Sequence, residues 1–182
     1  DLLRPGVDPS RGYRGLVEIL HQRWITTVLT TNFDDCIYRA KELVKRPHRL
    51  TQIKTSSDLS QFSSSPQDPQ LVYLNGSVDH YTDKNTDAEV RSLDPEIVER
   101  IKPMLRDHPI IVVGYRGNEP SVMKSLFRDQ IEAAQNFPYG IYWCGRGDED
   151  LAPMVKELAD AIGGNFSTVP INGFDELFWS DL

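Results

Sequence analysis

The chain has 182 residues, 39% of them apolar, so it can bury one sizeable core, and its composition gives no sign of a second domain. Its formal net charge of -7 excludes the basic surface that is typical of nucleic-acid-binding proteins. Its 2 cysteines are too few for a disulfide framework or a four-cysteine zinc site, and we expect Cys36 and Cys144 to be small core residues.

Targeting signals are missing from this sequence. No apolar stretch is long enough to span a membrane, and no basic start is followed by an apolar signal run. We therefore expect a cytoplasmic protein with neither a membrane nor a directly bound nucleic acid as a partner. The opening at Asp1, followed by a Pro- and Gly-containing run, is typical of the interior of a longer protein. We interpret residues 1–182 as a single domain, and as a fragment of a longer multidomain protein.

The first half of the chain alternates helical and strand patterns. Apolar residues at helical spacing predict a helix over 13–24, and the unbroken apolar run 25–29 predicts a buried strand. A polar run follows this strand at once, and a helical pattern resumes over 33–44. We expect the Ser-, Asp-, Gln- and Pro-rich residues 55–69 to form a loop, and 71–74 to form a short buried strand.

The second half repeats the alternation. The predicted elements are a helix from Asp94-Pro95 to Leu105, strand 110–113, a helix over 122–131, strand 141–144, helix 149–162, strand 166–171 and a short amphipathic helix over 174–179. Strands that alternate with helices predict an α/β fold, with a mostly parallel sheet and helices on both faces. The corners after Leu29, Leu74, Val113 and Cys144 are then expected to line one edge of that sheet.

Two interpretations of the first corner are open on the residues alone. Polar side chains directly after a buried parallel strand are candidate ligand contacts. Asn32 or Asp34 could equally cap the helix that follows.

The order of the four corners carries a family resemblance. They read Thr30-Thr31-Asn32-Phe33-Asp34, Leu74-Asn75-Gly76-Ser77, Gly114-Tyr115-Arg116-Gly117-Asn118-Glu119-Pro120-Ser121 and Trp143-Cys144-Gly145-Arg146. In this order and spacing they resemble the sirtuin-like, or SIR2-like, family, and more narrowly the SIR2-like domains of bacterial multidomain defence proteins. The resemblance spans about residues 13–180.

The resemblance implies a Rossmann-like site for NAD. Its Thr-x-Asn-x-Asp motif places Asn32 beside the nicotinamide ribose, and Asp34 holds the loop or a ribose hydroxyl. The third corner maps near the phosphates and ribose, and the fourth near the adenosine half. The implied cofactor-binding residues are Thr30, Thr31, Asn32, Phe33, Gly76, Gly114, Tyr115, Gly145 and Arg146, and the implied catalytic residues are Asn32, Asp34 and Asn75.

This chain departs from the family pattern twice. The family usually has a catalytic His where this chain has Asn75; His80 could reach inward as a base, or could be a solvated loop residue. The family's first corner, Gly-Ala-Gly-x-Ser, is absent, and we expect it upstream of Asp1, where its amides would bind the pyrophosphate.

The first departure changes which reaction is expected. Nicotinamide leaves the ribose as a neutral ring and needs no proton, so hydrolysis of NAD is conceivable with Asn75. Deacetylation needs a base and, in sirtuins, zinc cysteines, and is disfavoured. We therefore expect an NAD glycohydrolase without zinc, or a degenerate SIR2-like module that binds a nucleotide without turning it over. Fused domains of the parent protein and a homo-oligomer are candidate partners.

Overall fold

The computed structural model describes residues 8–45, 49–75, 93–147 and 150–179. The chain divides into two compact units. The first unit contains the described part of Asp1–Asn85 and Phe174–Leu182, and the second unit that of Thr86–Gly173. The interpretation of residues 1–182 as a single domain stays a prediction.

The elements alternate as the α/β class requires. In chain order they are α1 Arg11–His21, β1 Thr27–Thr30, α2 Cys36–Leu43, β2 Thr51–Ile53, a 3-10 turn Ser56–Gln61, β3 Gln70–Tyr73, α3 Pro95–Asp107, β4 Ile110–Val113, α4 Pro120–Val122, a π-helical turn Met123–Phe127, a 3-10 turn Arg128–Gln130, β5 Ile141–Gly145, α5 Pro153–Ile162, a 3-10 turn Gly163–Asn165, β6 Phe166–Pro170 and α6 Phe174–Trp179. All described strand pairs are parallel. The predicted α/β, Rossmann-like fold class is confirmed.

The first unit is built on a parallel sheet with the order β1-β3-β2. The β1–β3 register runs from Thr27 opposite Gln70 to Thr30 opposite Tyr73. Helices α1 and α2 bury their apolar faces against β3 in one core, whose buried members are Leu16, Val17, Leu20, Ile37, Ala40, Leu71 and Tyr73. This core fixes the strand whose end carries the first polar corner.

A buried glutamine closes the amino end of this sheet. Gln70 is 1% exposed. Its Nε2 donates to Thr27 Oγ1 at 3.0 Å and to the Ser63 carbonyl at 2.7 Å, while its Oε1 accepts from Ser63 N at 3.2 Å. The side chain is therefore fully paired, as burial of an amide requires. It ties β1, β3 and the preceding loop together.

Two glycines let α6 approach α1. A Cβ added at Gly15 would overlap the backbone oxygen of Phe178, and one at Gly12 would overlap Asp175. Asp175 Oδ1 accepts hydrogen bonds from Gly12 N at 2.9 Å and from Ser10 Oγ at 2.5 Å, so it caps the start of α1. The end of the described chain is thus attached to its beginning within the first unit.

The second unit is a parallel sheet with the order β4-β5-β6. Its core surrounds Trp143, which is 4% exposed. The Trp143 ring lies 6.1 Å from the rings of both Phe127 and Phe166, measured between ring centroids. A Cβ at Gly117, whose φ is +76°, would overlap Val155 of α5. A positive φ together with this close approach requires glycine at that position.

Several predicted element bounds need correction. The first strand begins at Thr27 and includes Thr30, and α2 begins at Cys36 rather than Phe33, because a side-chain turn precedes the helix. Strand β2 was not predicted, since three residues show no period and the strand exists only through pairing with β3. The expected 55–69 loop contains a 3-10 turn capped by Thr55 and Asp58. The predictions for α3 and α6 are confirmed at their starts, and α6 also at its end.

We predict that Gly15→Ala lowers the free energy of unfolding by about 1–3 kcal/mol, because the new methyl group meets backbone rather than a movable side chain. Urea unfolding followed by circular dichroism measures the change. Gly164→Ala is the control, since a Cβ there meets nothing within 4 Å. An equal stability of the Gly15 variant and the control would contradict the close packing of α1 and α6.

Candidate functional site

The corner that follows β1 is held by local hydrogen bonds. Thr30 is the last residue of the strand, and its Oγ1 accepts from the backbone N of Asn32 at 3.1 Å. Asp34 Oδ1 accepts from Cys36 N at 3.0 Å. The side chains of Thr31 and Phe33 are half-buried, whereas Asn32 is exposed. The corner therefore presents an exposed carboxamide from a backbone that is fixed on both sides.

Asp34 forms a local turn before α2. Its hydrogen bond from Cys36 N satisfies one of the donors that a helix start leaves unpaired, and α2 begins at that residue. Asp34 thus makes an Asx turn directly before Asp35, the N-cap residue of α2. Within the part of the chain that the structure describes, the Asn32 side chain makes no such hydrogen bond to α2.

The parallel pairing of β1 with β3 brings the second corner to the first. Leu74 N donates to the Thr30 carbonyl at 2.9 Å, which extends the ladder past the strands. Asn75 Nδ2 donates to the Thr31 carbonyl at 3.3 Å. Asn32, Asp34 and Asn75, the three predicted catalytic residues, therefore belong to one edge of the first unit. Gly76 and His80 lie outside the described residues.

Tyr13 of α1 also reaches this corner. Burial, followed by the charges of Asp34 and Cys36, raises the pKa of Tyr13 to about 12, while the side-chain amide of Asn32 acts in the opposite direction. Its ring packs against the core of the first unit, and no local pattern in the sequence marks its hydroxyl.

Cys36 is not a nucleophile in this arrangement. Burial, followed by the hydrogen bond and charge of Asp34, raises the pKa of the Cys36 thiol to about 12. Burial also raises the pKa of Cys144. Both cysteines are free and buried, which confirms their prediction as core residues. Because the thiolate is the reactive form, neither can serve as a nucleophile near neutral pH.

The second unit carries the other two corners at the ends of adjacent parallel strands. Val113 and Cys144 are opposite each other, so Gly114, directly after β4, and Gly145, the last residue of β5, lie at the same edge of this unit. A Cβ at either glycine would meet nothing within 4 Å, and Gly114 has φ +70°. Both positions thus leave the backbone open to close approach. Arg146, the next residue, is exposed.

Tyr115 is turned back toward its own loop. Its hydroxyl donates to the Glu119 carbonyl at 3.4 Å, and its ring lies 6.0 Å from the Trp143 ring. Burial, followed by the Glu119 charge, raises the pKa of Tyr115 to about 12. The phenol is therefore protonated at physiological pH and supports the loop that begins at Gly114.

Comparison with known proteins identifies the family. The sequence model of the SIR2-like domain matches residues 26–163, which is more than half of the chain. The chain belongs to the SIR2-like domain family. Members of this family are generally associated with NAD, and the matched span contains all four corners. All of α1, which includes Tyr13, precedes it. A comparison with curated proteins gives no match.

Two features are absent from the described residues. Within 8–45, 49–75, 93–147 and 150–179, no helix is long and apolar enough to cross a membrane. The same part of the chain holds no group of three or more His, Cys, Asp or Glu side chains that could bind a metal ion.

The two raised pKa values at the β1 corner predict a pH dependence of stability. In the folded protein the pKa of Cys36 rises from its ordinary value of 9.0 to about 12, and the pKa of Tyr13 rises from 10.0 to about 12. Each is neutral when protonated, so the stability linked to it is fully present below its unfolded pKa and is lost as the pH rises through its folded pKa. We expect the free energy of unfolding to fall between about pH 9 and pH 12.

Urea unfolding across this range measures the effect. In Cys36→Ala/Tyr13→Phe the fall should be shallower than in the parent chain, whereas Tyr38→Phe should keep the parental slope. Identical slopes in all three proteins would contradict the burial of these two groups.

Proposed function

We propose that this SIR2-like domain binds NAD and hydrolyses it to nicotinamide and ADP-ribose, as one part of a multidomain bacterial defence protein. The β1 corner carries the proposal, because it presents an exposed Asn32 on a backbone held by Thr30 and by Asp34. The family's Thr-x-Asn-x-Asp motif lies at this corner. Polar groups at the carboxyl end of a parallel strand stand where ligands of such sheets bind.

The proposed reaction breaks the bond between the ribose C1′ and the pyridinium nitrogen of nicotinamide. The electron pair of that bond goes to the nitrogen, so nicotinamide leaves as a neutral ring without taking a proton. The ribose becomes oxocarbenium-like, and its positive charge is stabilised by the carboxamide dipole of Asn32 and the nearby carboxylate of Asp34. Water then adds to C1′ and releases its proton to solvent, which yields ADP-ribose.

Asn75 bears on whether the site favours hydrolysis of NAD or protein deacetylation. A carboxamide has no usable basicity, and the Asn75 amide is engaged by the Thr31 carbonyl. Acyl transfer from lysine needs a deprotonated ribose hydroxyl, whereas hydrolysis needs only a positioned water and a stabilised cation. The arrangement therefore favours hydrolysis over protein deacetylation.

The remaining assignments come from the resemblance. We assign the nicotinamide ribose to the β1 corner, including Thr30, Thr31 and Phe33, with Gly76 beyond Asn75. Gly114 and Tyr115 are assigned to phosphate and ribose, and Gly145 and Arg146 to the adenosine half. The open backbone at both glycines and the exposed cation at Arg146 are compatible with an anionic dinucleotide. The nicotinamide-ribose assignment concerns residues of the first unit, and the phosphate and adenosine assignments concern residues of the second unit.

One observation favours a second candidate, a module that binds NAD without turning it over. Asn75 replaces the usual base and serves as a structural tie between the β3 corner and the β1 corner. A site that had lost catalysis but kept its fold would look the same at this position. Neighbouring domains of the parent protein, or further copies of the chain, would then supply the activity.

We predict that the parent protein, incubated with NAD, releases nicotinamide, and that Asn32→Ala lowers the rate by about a hundredfold or more. Chromatography of nicotinamide measures the rate, with phage or nucleic acid added as candidate triggers. Gln67→Ala is the control, since this exposed amide belongs to the loop at the amino end of β3, away from the corner. Calorimetric titration measures NAD binding by each variant.

The outcomes separate the two candidates. Nicotinamide release that disappears in Asn32→Ala and persists in Gln67→Ala supports a hydrolase that works without the usual histidine. NAD binding without release under any trigger supports the binding module. Release that is equal in all three proteins would exclude Asn32 from the reaction.

A further inference from the structure

A cavity of about 410 Å³ lies in the second unit, between the helical segment that follows Glu119 and helix α5. Its apolar lining consists of Pro120, Met123, Ile131, Met154, Leu158 and Ala161. Met123 and Leu158 are each 4% exposed and form the floor. Pro120 and Ala161 are exposed and lie at the rim. A volume of this size is typical of a small-molecule site.

The first wall of the cavity has an irregular backbone. It contains the π-helical turn Met123–Phe127, a conformation that is rare and recurs at functional sites. Gln130, which is 5% exposed, follows between the lining residues Asp129 and Ile131. Its Nε2 donates to the Ser125 carbonyl at 2.9 Å, while its Oε1 has no hydrogen-bond partner within the part of the chain that the structure describes. This wall departs from the most stable arrangement, as binding sites often do.

Helix α5 forms the opposite wall with one regular face. Met154, Leu158 and Ala161 follow one another at helical spacing, so they share one side of α5. Each wall thus contributes one methionine, Met123 from the first wall and Met154 from α5. Thioether sulfurs are polarizable and make favourable contacts with aromatic rings. Methionines on both walls therefore favour a flat aromatic ring between them.

The charged residues of the lining are paired with one another. Lys124 Nζ lies 2.6 Å from Asp129 Oδ2 within the first wall. Arg128 Nη1 lies 3.5 Å from Glu157 Oε2, and this ion pair joins the first wall to α5. These cations and carboxylates balance, so the lining holds no excess charge that could neutralise an ionic ligand. An ion would lose hydration without gaining a counter-charge, whereas an uncharged ligand would not.

We propose that this cavity binds an uncharged aromatic molecule, at a site separate from the NAD contacts. None of the residues that we assign to NAD is among the described residues that line the cavity. The inference therefore stands apart from the proposed hydrolysis. The volume, the two thioethers and the balanced charges each restrict the ligand, and together they select a ring system without an ionised substituent.

The test follows methionine methyl groups in the parent protein by 13C–1H spectroscopy, with indole as the probe. The signals of Met104, Met123 and Met154 are each assigned as the one that vanishes when that residue is replaced by Leu. Met104 belongs to α3 and not to the lining, so it is the internal control. We expect indole to shift the Met123 and Met154 signals saturably and to leave Met104 in place. Unshifted signals, or an equal shift of Met104, would overturn the proposal.

Charged derivatives of the same ring test the charge argument. Indole-3-acetate and tryptamine should bind about tenfold more weakly than indole, because neither ion finds a free counter-charge. Glu157→Gln releases Arg128 from its partner, and should tighten indole-3-acetate about threefold, since this pair is exposed to water and screened. Its affinity for indole should not change. Equal affinities of all three probes for the parent protein would refute the choice of an uncharged ligand.

A pair of matched variants tests the location. Ala161→Phe places a ring at the exposed rim and should weaken indole binding about tenfold by filling the cavity. Lys156→Phe adds the same ring to α5 at an exposed position outside the lining, and should match the parent. Saturating NAD should leave the Kd of indole unchanged. Displacement of indole by NAD, or parental affinity in Ala161→Phe, would contradict a separate site in this cavity.

Discussion

Parallel pairing of β1 with β3 is the constraint on which the rest of the first unit depends. The register that sets Thr30 opposite Tyr73 makes both strands end at the same edge. Only then can Asn75 donate to the Thr31 carbonyl and bring two corners, 44 positions apart, into one place. A shift of one residue would remove Leu71 and Tyr73 from the core that they form with α1 and α2, so the core and the corner are specified by the same pairing.

The chemistry of this corner is that of neutral amides and a phenol beside one carboxylate. Asn75 carries no basicity where the family usually has a histidine, and the raised pKa values of Tyr13 and Cys36 keep both groups protonated. Such a site can orient a substrate and stabilise positive charge, but it lacks the histidine that would accept a proton from a hydroxyl. The proposed hydrolysis, in which the leaving group departs without a proton, fits that limitation.

The second unit uses glycine for two different purposes. Gly117 is packed so tightly against Val155 that any side chain would overlap it, whereas Gly114 and Gly145 face open space. Gly117 therefore serves folding, and the two open positions leave backbone available to a ligand. Sequence alone shows three glycines at the ends of strands and in the loop that follows. Their separate roles depend on what surrounds each one.

The sequence by itself determined most of the elements and the family, because apolar periodicity and strand-end motifs are local properties of the chain. From these came the α/β class, the starts of α3 and α6, and the SIR2-like corners around Asn32 and Asn75. Only the tertiary structure decided which side chains meet: that Gln70 joins three segments, that Asn75 reaches the Thr31 carbonyl, and that Asp175 holds the start of α1. Those contacts join residues on different elements, and their distances are set by packing, which no local pattern encodes.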